Sequence, residues 1–349
     1  MAHLDFLPIT PEEVRKLGWQ QPDIVFVSGD AYVDHPSFAN ALLGRVLQAA
    51  GFKVALLCQP AWKDADAWRA MGRPRLFYAV SAGNMDSMIN HYTANKKRRN
   101  QDAYSPGGAI GLRPDRPTAV YAQRCREAFS DVPVVIGGVE ASLRRIAHYD
   151  YWSDTVKPSS LVTSKADLCG FGMGERQILE IARRLDQGLT IRDCRDLRGV
   201  AYLLGKNESL PEHTFARPLG PPMATTRELP SFEAVRDDKR AFAEATRTLH
   251  QETNPQNGAR LVQRHGDRLL VVNPPDLALE TPELDRLYDL PYTRMSHPSY
   301  RQPIPADAMI RDSVTIMRGC FGGCTFCSIT MHQGNAIQSR SEGSILREL

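Results

Sequence analysis

No apolar run in this chain approaches the ~20 residues that a membrane-spanning helix needs. The opening residues, Met-Ala-His-Leu-Asp-Phe-Leu-Pro-Ile-Thr, lack a basic start followed by an apolar stretch, the pattern of a secretory signal. There is little charge of one sign: 43 Lys and Arg against 40 Asp and Glu leave +3. That balance does not argue for a nucleic-acid partner. No internal repeat or low-complexity tract is present. Seven cysteines, an odd number, do not make a disulfide framework in 349 residues. Cys58, Cys125, Cys169 and Cys194 are scattered. They read as reduced thiols in a cytoplasmic protein. What remains is a soluble globular composition, 42% apolar and 24% charged, in a chain long enough for two cores.

The first 205 residues alternate apolar runs with helical patterns. Asp23–Ser28, Lys53–Cys58, Arg75–Val80, Val132–Ile136 and Asp167–Gly170 read as buried strands. A helix is expected from about Ser37 to Ala50, another from Ser81–Asn84 to the basic cluster Lys96–Arg99, and others near 118–129 and after Gly174. This repetition predicts an α/β, doubly wound, mainly parallel sheet. Ligands bind such sheets at the carboxyl ends of the strands. Here those ends carry the loops Gly29–Pro36, Gln59–Trp62, Ser81–Asn84, Gly137–Ser142 and Gly172–Glu175. Residues 206–312 read as a connecting region. It comprises a linker over 206–235, one helix from Ser231 to about Glu252, a hairpin about His265-Gly266-Asp267, and a Pro-rich crossing segment, Leu290–Ala308. Ser313–Met317 is a further expected strand.

That strand feeds Arg318-Gly319-Cys320-Phe321-Gly322-Gly323-Cys324-Thr325-Phe326-Cys327, with three cysteines spaced Cys-x3-Cys-x2-Cys. Glycines let the backbone turn tightly around a bound centre. Thiolates select zinc or iron–sulfur clusters. Structural zinc wants four ligands, and His332 could complete Cys3His. A 4Fe–4S cluster on three cysteines leaves one iron free for a small molecule.

The Cys-x3-Cys-x-aromatic-Cys loop after a strand resembles the radical SAM superfamily. Gly29–Phe38, Gly137–Ser142, Leu290–Arg294, His297-Pro298-x-Tyr300, Arg318–Cys324 and Ser339–Ser341 together resemble its YgiQ-type family. The resemblance implies that Cys320, Cys324 and Cys327 hold a 4Fe–4S cluster. It implies that the fourth iron chelates S-adenosylmethionine, that Phe326 packs near the adenine, and that a reductant such as flavodoxin or ferredoxin supplies the electron. The substrate stays unknown. It also implies a domain plan: 1–205 Rossmann-like, 206–312 connecting, 313–349 the first strand, cluster loop and first helix of a (β/α) barrel. A whole barrel takes roughly 200 residues or more. Only 22 residues follow Cys327. The chain is therefore expected to be truncated and inactive alone. The N-terminal domain resembles, more loosely, the cobalamin-binding domain that precedes many such barrels. Its Asp-x-His-x-x-Gly signature is absent, since Asp34 and His35 are adjacent. Cobalamin, as in a methyltransferase or rearrangement enzyme, stays open without that support.

Other features carry plainer readings. Gly170-x-Gly172-x-Gly174 is not a dinucleotide fingerprint, because Glu175 stands where the third glycine belongs. Asp30, Asp34 and His35 serve either loop hydrogen bonding or a metal. Glu140 and Arg144-Arg145 either start a solvated helix or face the second domain. Lys96–Arg99 reads as a solvated helix end.

Overall fold

The computed structural model describes residues 5–215, 225–324 and 326–349. Among them nine strands form one mixed, mainly parallel sheet in the order β2-β1-β3-β4-β7-β8-β11-β10-β9. The strands are β1 Ile24–Ser28, β2 Val54–Cys58, β3 Phe77–Ser81, β4 Val134–Gly137, β7 Leu168–Gly170, β8 Val200–Leu204, β9 Thr226–Leu229, β10 Arg260–His265 and β11 Arg268–Val272. Two short ribbons stand apart: β5 His148–Asp150 with β6 Thr155–Lys157, and β12 Met317–Arg318 with β13 Gln338–Ser339.

The period-2 alternation of each strand sends side chains to both faces. Ile24 and Phe26 of β1, with Val54, Leu56, Phe77 and Ala79, pack against Ala41, Leu47, Ile178 and Ile181 of the helices Ala39–Ala49 and Glu175–Asp186. Val25, Val27, Ala55, Tyr78, Val80 and Val134 pack on the other face against Trp68, Met71, Tyr121 and Cys125. Both faces are therefore dry, which explains why these strands read as unbroken apolar runs.

Strands β2, β1, β3, β4 and β7 pair in parallel. The first connection goes from β1 to one neighbour and the next crosses back to the other. The sheet's switch point thus lies at the carboxyl ends of β1 and β3. Beyond β7 the sheet turns antiparallel through β8, β11 and β10, and ends in β9, parallel to β10. The expected hairpin at Gly266 is present and carries the sheet onward.

Several expectations need correction. The helix expected to reach Lys96–Arg99 spans only Ser87–His91. Lys96 takes a left-handed φ of 58°, Tyr92 bridges Arg98, and the Lys96 ammonium sits 4.8 Å over the Tyr151 ring. The single helix expected over 231–252 is two, Phe232–Asp237 and Lys239–Gln251. Asp238 takes an extended conformation between them, and its carboxylate caps the second by accepting from Arg240 N–H. The expected linker contains β9; its residues 216–224 lie outside the described residues. The strand expected over 313–317 shrinks to Met317–Arg318, paired antiparallel with Gln338–Ser339.

Candidate functional site

The loops after β1, β3 and β4 meet the segment 315–333 across a cleft of about 420 Å³. Ser37, Asn84 and Val139 line its floor; Met317, Arg318 and Ile329 line the opposite wall. An apolar slot of about 100 Å³ shares Ala39, Leu42, Gly138, Met173 and His332 with the cleft. It reaches between the sheet and the helices Ala39–Ala49 and Glu175–Asp186, past Phe26, Val135 and Ile178. Gly138, the first residue of the helix after β4, has φ 80°, and a methyl group there would stand 2.6 Å from Ser81 Oγ at the end of β3, so glycine suits this position.

Buried ion pairs fix the floor. Arg113 joins Asp30 at 2.7 Å to Asp102 at 2.9 Å, tying the loop after β1 to a distant loop. Asp30 also accepts from Asn84 N–H at 2.6 Å. Burial raises its carboxyl against the opposing pull of Arg113. Asp34 accepts from Arg45 at 2.5 Å, from the Tyr32 hydroxyl at 2.9 Å and from Thr293 N–H at 2.8 Å. His35 Nδ1 accepts from Ser37 N–H at 3.1 Å, and its Nε2 lies 3.2 Å from Arg294 Nη1. Burial, then the Arg294 guanidinium, pushes His35 down to about 4. Asp30, Asp34 and His35 are thus consumed by loop and inter-segment bonds.

The segment carrying the cysteines docks through charge. Arg318, just before the loop, pairs with Glu175, the first residue of helix Glu175–Asp186, and both are buried. Its Nε donates to the Tyr288 hydroxyl at 3.1 Å. At the far end, Glu348 pairs with Arg294 and Arg340, and Arg340 lies 4.4 Å over the Tyr288 ring. The acid that spoils the dinucleotide fingerprint is therefore the counter-ion that seats the cysteine loop.

Within the loop, Gly319 has φ 84°, and a methyl group there would meet the Ala336 carbonyl oxygen at 2.2 Å. Gly322 N–H donates to Cys320 Sγ at 3.4 Å. A methyl group on Gly322 would stand 3.4 Å from Cys320 Sγ and 3.8 Å from Cys324 Sγ, so both sulfurs crowd one glycine. Cys327 N–H donates to the Cys324 carbonyl at 3.0 Å. All three thiols are free, and Cys324 is exposed. Phe326 is 91% exposed; Thr325 lies outside the described residues. Among the described residues, no three His, Cys, Asp or Glu side chains are gathered into a ready metal site. The donor set nonetheless suits a soft metal centre: three reduced thiols on one glycine-rich loop, with a backbone N–H already given to one sulfur.

His332 is elsewhere. The helix Ile329–Gln333 packs on the helix Gly138–Leu143, and His332 Nδ1 lies 3.0 Å from Ser142 Oγ. Ser142 Oγ in turn accepts from Gly172 N–H at 3.3 Å. Burial pushes His332 down to about 4, so it is neutral near pH 7. Glu140 neither starts a solvated helix nor faces the segment 313–349. It is buried and accepts from Ser87 N–H at 3.0 Å and Thr118 N–H at 3.3 Å. Arg144 pairs with Asp86 at 2.6 Å.

Sequence reasoning missed the Glu175–Arg318 and Ser142–His332 contacts, which span 143 and 190 residues. No local spacing signals such pairs. The available hint was an acid at the first turn of an apolar-faced helix.

The sequence pattern of the family described as Radical SAM N-terminal matches residues 6–313, stopping short of Cys320. The chain is 55% identical, over 356 residues, to a UPF0313 protein of Rhodopseudomonas palustris, covering 99% of this chain and 52% of that one. It is 49% identical over 388 residues to UPF0313 protein YgiQ of Escherichia coli (strain K12), covering 99% and 52%. The chain thus spans about half the length of these curated relatives. A solved structure of TsrM, a radical S-adenosylmethionine methyltransferase from Kitasatospora setae, aligns over 93% of this chain and 44% of that one, at 16% identity and a TM-score of 0.47.

Proposed function

The chain belongs to the Radical SAM N-terminal family, and on that premise we propose that Cys320, Cys324 and Cys327 hold a 4Fe–4S cluster whose remaining iron takes S-adenosylmethionine. In this reading residues 313–349 begin the catalytic barrel, 1–205 form the larger part of the α/β domain beneath it, and 206–312, whose β9, β10 and β11 extend its sheet, connect the two. When bound, the cluster would supply the electron that cleaves S-adenosylmethionine to a 5′-deoxyadenosyl radical, drawn from a flavodoxin- or ferredoxin-type donor. The substrate is unassigned. A reducing, cytoplasmic compartment would keep the thiolates available. Among the described residues no helix is long and apolar enough to cross a membrane.

The observation that carries the reading is the count of ligands. His332, the candidate for a fourth ligand in a zinc site, turns to Ser142 at 3.0 Å. Three thiolates then suit a cluster with one open iron better than structural zinc, which wants four protein ligands. This chain's own groups do the rest. Arg318 and Glu175 hold the loop at the rim of the cleft. Thr330 Oγ1 donates to the Cys320 carbonyl at 3.2 Å and ties the loop to its following helix. The Gly322 N–H lowers electron density on Cys320 Sγ, a lever on cluster potential. Phe326 stands exposed and free to cover a flat base. Anaerobic reconstitution with iron and sulfide tests this: about four irons per chain and brown absorption are expected, lost on Cys320→Ser, Cys324→Ser or Cys327→Ser. A colourless protein that retains zinc, and loses it on His332→Ala, would sink it.

A second reading is favoured by the apolar slot. Its position between the sheet and two helices, open to the cleft beneath Gly138, suits the planar heteroaromatic tail of cobalamin. Titration with hydroxocobalamin should then shift the corrin spectrum, and Ile178→Trp, which fills the slot, should abolish the shift. An unshifted spectrum removes this reading and leaves the cluster reading intact.

A further inference from the structure

Below the helix Ile329–Gln333 lies a further small cavity of about 50 Å³, walled in part by Arg145, Phe171, Asp276 and Gln333. Arg145 is only 3% exposed. Its guanidinium lies 4.6 Å over the Phe171 ring, and Nη1 donates to the Ser142 carbonyl at 2.5 Å. Its Nε has no hydrogen-bond partner. Among the described residues no carboxylate comes within ion-pair distance of it, whereas the buried Arg45, Arg113, Arg318 and Arg340 each meet one. A buried, unpaired charge is costly, and folds keep one where something else pairs with it. Burial pulls the group down to about 10.

We propose that Arg145 is the anchor of an oxyanion site, binding the carboxylate or phosphate head of a small ligand through its guanidinium. A guanidinium's planar fork of donors matches two oxygens of one group, and Phe171 lies against its face. The volume allows a few heavy atoms, since a single water needs about 10–15 Å³ by the same measure. The cavity's two acids do not oppose an anion strongly. Glu175 is neutralised by Arg318. The Asp276 carboxyl, raised by burial, has the cations Arg176 and Arg198 nearby, and its oxygen accepts from Leu277 N–H at 2.8 Å. Gln333 and His332 reach the same cavity from the helix after the cysteine loop, so an occupant here touches the element that follows the thiols. The site stands on Arg145 and its surroundings and holds whether or not a cluster is bound.

Thermal unfolding of the chain at constant ionic strength tests the site, with acetate and inorganic phosphate as separate arms and chloride as control. At least one oxyanion should raise Tm along a saturating curve, and the arm that does so identifies the head group. Arg145→Met should abolish that rise while leaving Tm in chloride equal or higher, because an uncompensated charge has gone. Arg145→Lys keeps the charge but loses the fork, and should weaken binding about tenfold or more, as for one charge-assisted hydrogen bond. If Arg145→Met does not fold, hydrogen exchange on the unsubstituted chain decides: the bound oxyanion should slow exchange at 142–146 and 329–333. No response beyond chloride, an equal rise in Arg145→Met, or unchanged exchange at those residues overturns the proposal.

Discussion

Replacing Arg318 by methionine asks whether one buried ion pair seats the cysteine loop. The side chains of Arg318 and Glu175 are 5% and 4% exposed. Burial works against the Arg318 charge, yet Glu175 and Tyr288 more than offset it, and the guanidinium is held above its ordinary value. Methionine keeps most of the stem's packing under Tyr288 but leaves Glu175 buried without its cation. Breaking a buried pair from one side costs about 3–5 kcal/mol. Glu175→Met should cost a similar amount, plus about 0.3–1 kcal/mol for an acid lost at a helix N-terminus. Arg318→Met/Glu175→Met removes both charges and should fall within about 1–2 kcal/mol of the parent, because an apolar pair can replace a buried ion pair almost neutrally. Urea unfolding followed by circular dichroism gives the cycle. Hydrogen exchange at 317–320 shows whether the loss is felt first where the segment docks. Additive single costs, or a cost for Arg318→Met below about 1 kcal/mol, would refute the reasoning.

Further predictions concern the floor, the loop and the response to acid. Asp34→Asn removes the buried charge that Arg45, the Tyr32 hydroxyl and Thr293 N–H share and should destabilise the chain by about 3–5 kcal/mol in urea unfolding. Gly319→Ala places a methyl group 2.2 Å from the Ala336 carbonyl oxygen at a left-handed φ; iron bound after reconstitution should fall while the far-ultraviolet spectrum stays unchanged. His35, His148, His265 and His332 are each pushed down to about 4, chiefly by burial. Protons therefore bind the unfolded state first, near its ordinary histidine value of about 6.5. The stability these four contribute is present above that value and drains away as pH falls towards 4, so Tm should drop across that window in calorimetry. Removing His332 as His332→Gln should shallow the drop.

Much of the sheet was legible because its parallel half is buried on both faces. Ile24–Ser28, Val54–Cys58, Phe77–Ser81 and Val134–Gly137 carry little but apolar side chains. The helix Pro117–Ala128 was expected near 118–129, though its opening proline reads equally as the end of the preceding Pro/Gly-rich loop. Strand β8 and the extension through β11, β10 and β9 were not legible as parts of that sheet, since antiparallel pairing between 169–170, 200–204 and 268–272 leaves no periodic trace of which strand finds which. The break at Asp238 was hidden because a capping acid resembles any surface acid until the backbone around it is known. At the site, the thiols were legible from spacing alone. The seating of their loop was not, since it depends on Glu175 and Ser142, far away in sequence. Arg145 read, with Arg144, as either part of a solvated helix start or a residue facing the second domain, and only the absence of a carboxylate beside it among the described residues distinguishes it from Arg144.

The docking of the cysteine segment has a consequence for biosynthesis. The partners that receive it from outside lie earlier in the chain: Glu175 takes Arg318, Ser142 meets His332, and Arg294 takes Glu348. Domains fold as the ribosome releases them, amino-terminal parts first. The nine-stranded sheet, complete at Val272, can therefore be assembled before Cys320 leaves the exit tunnel. The three thiols would then emerge onto a finished platform, spending little time beside unfolded chain. A metal-delivery system would meet them already seated at the rim.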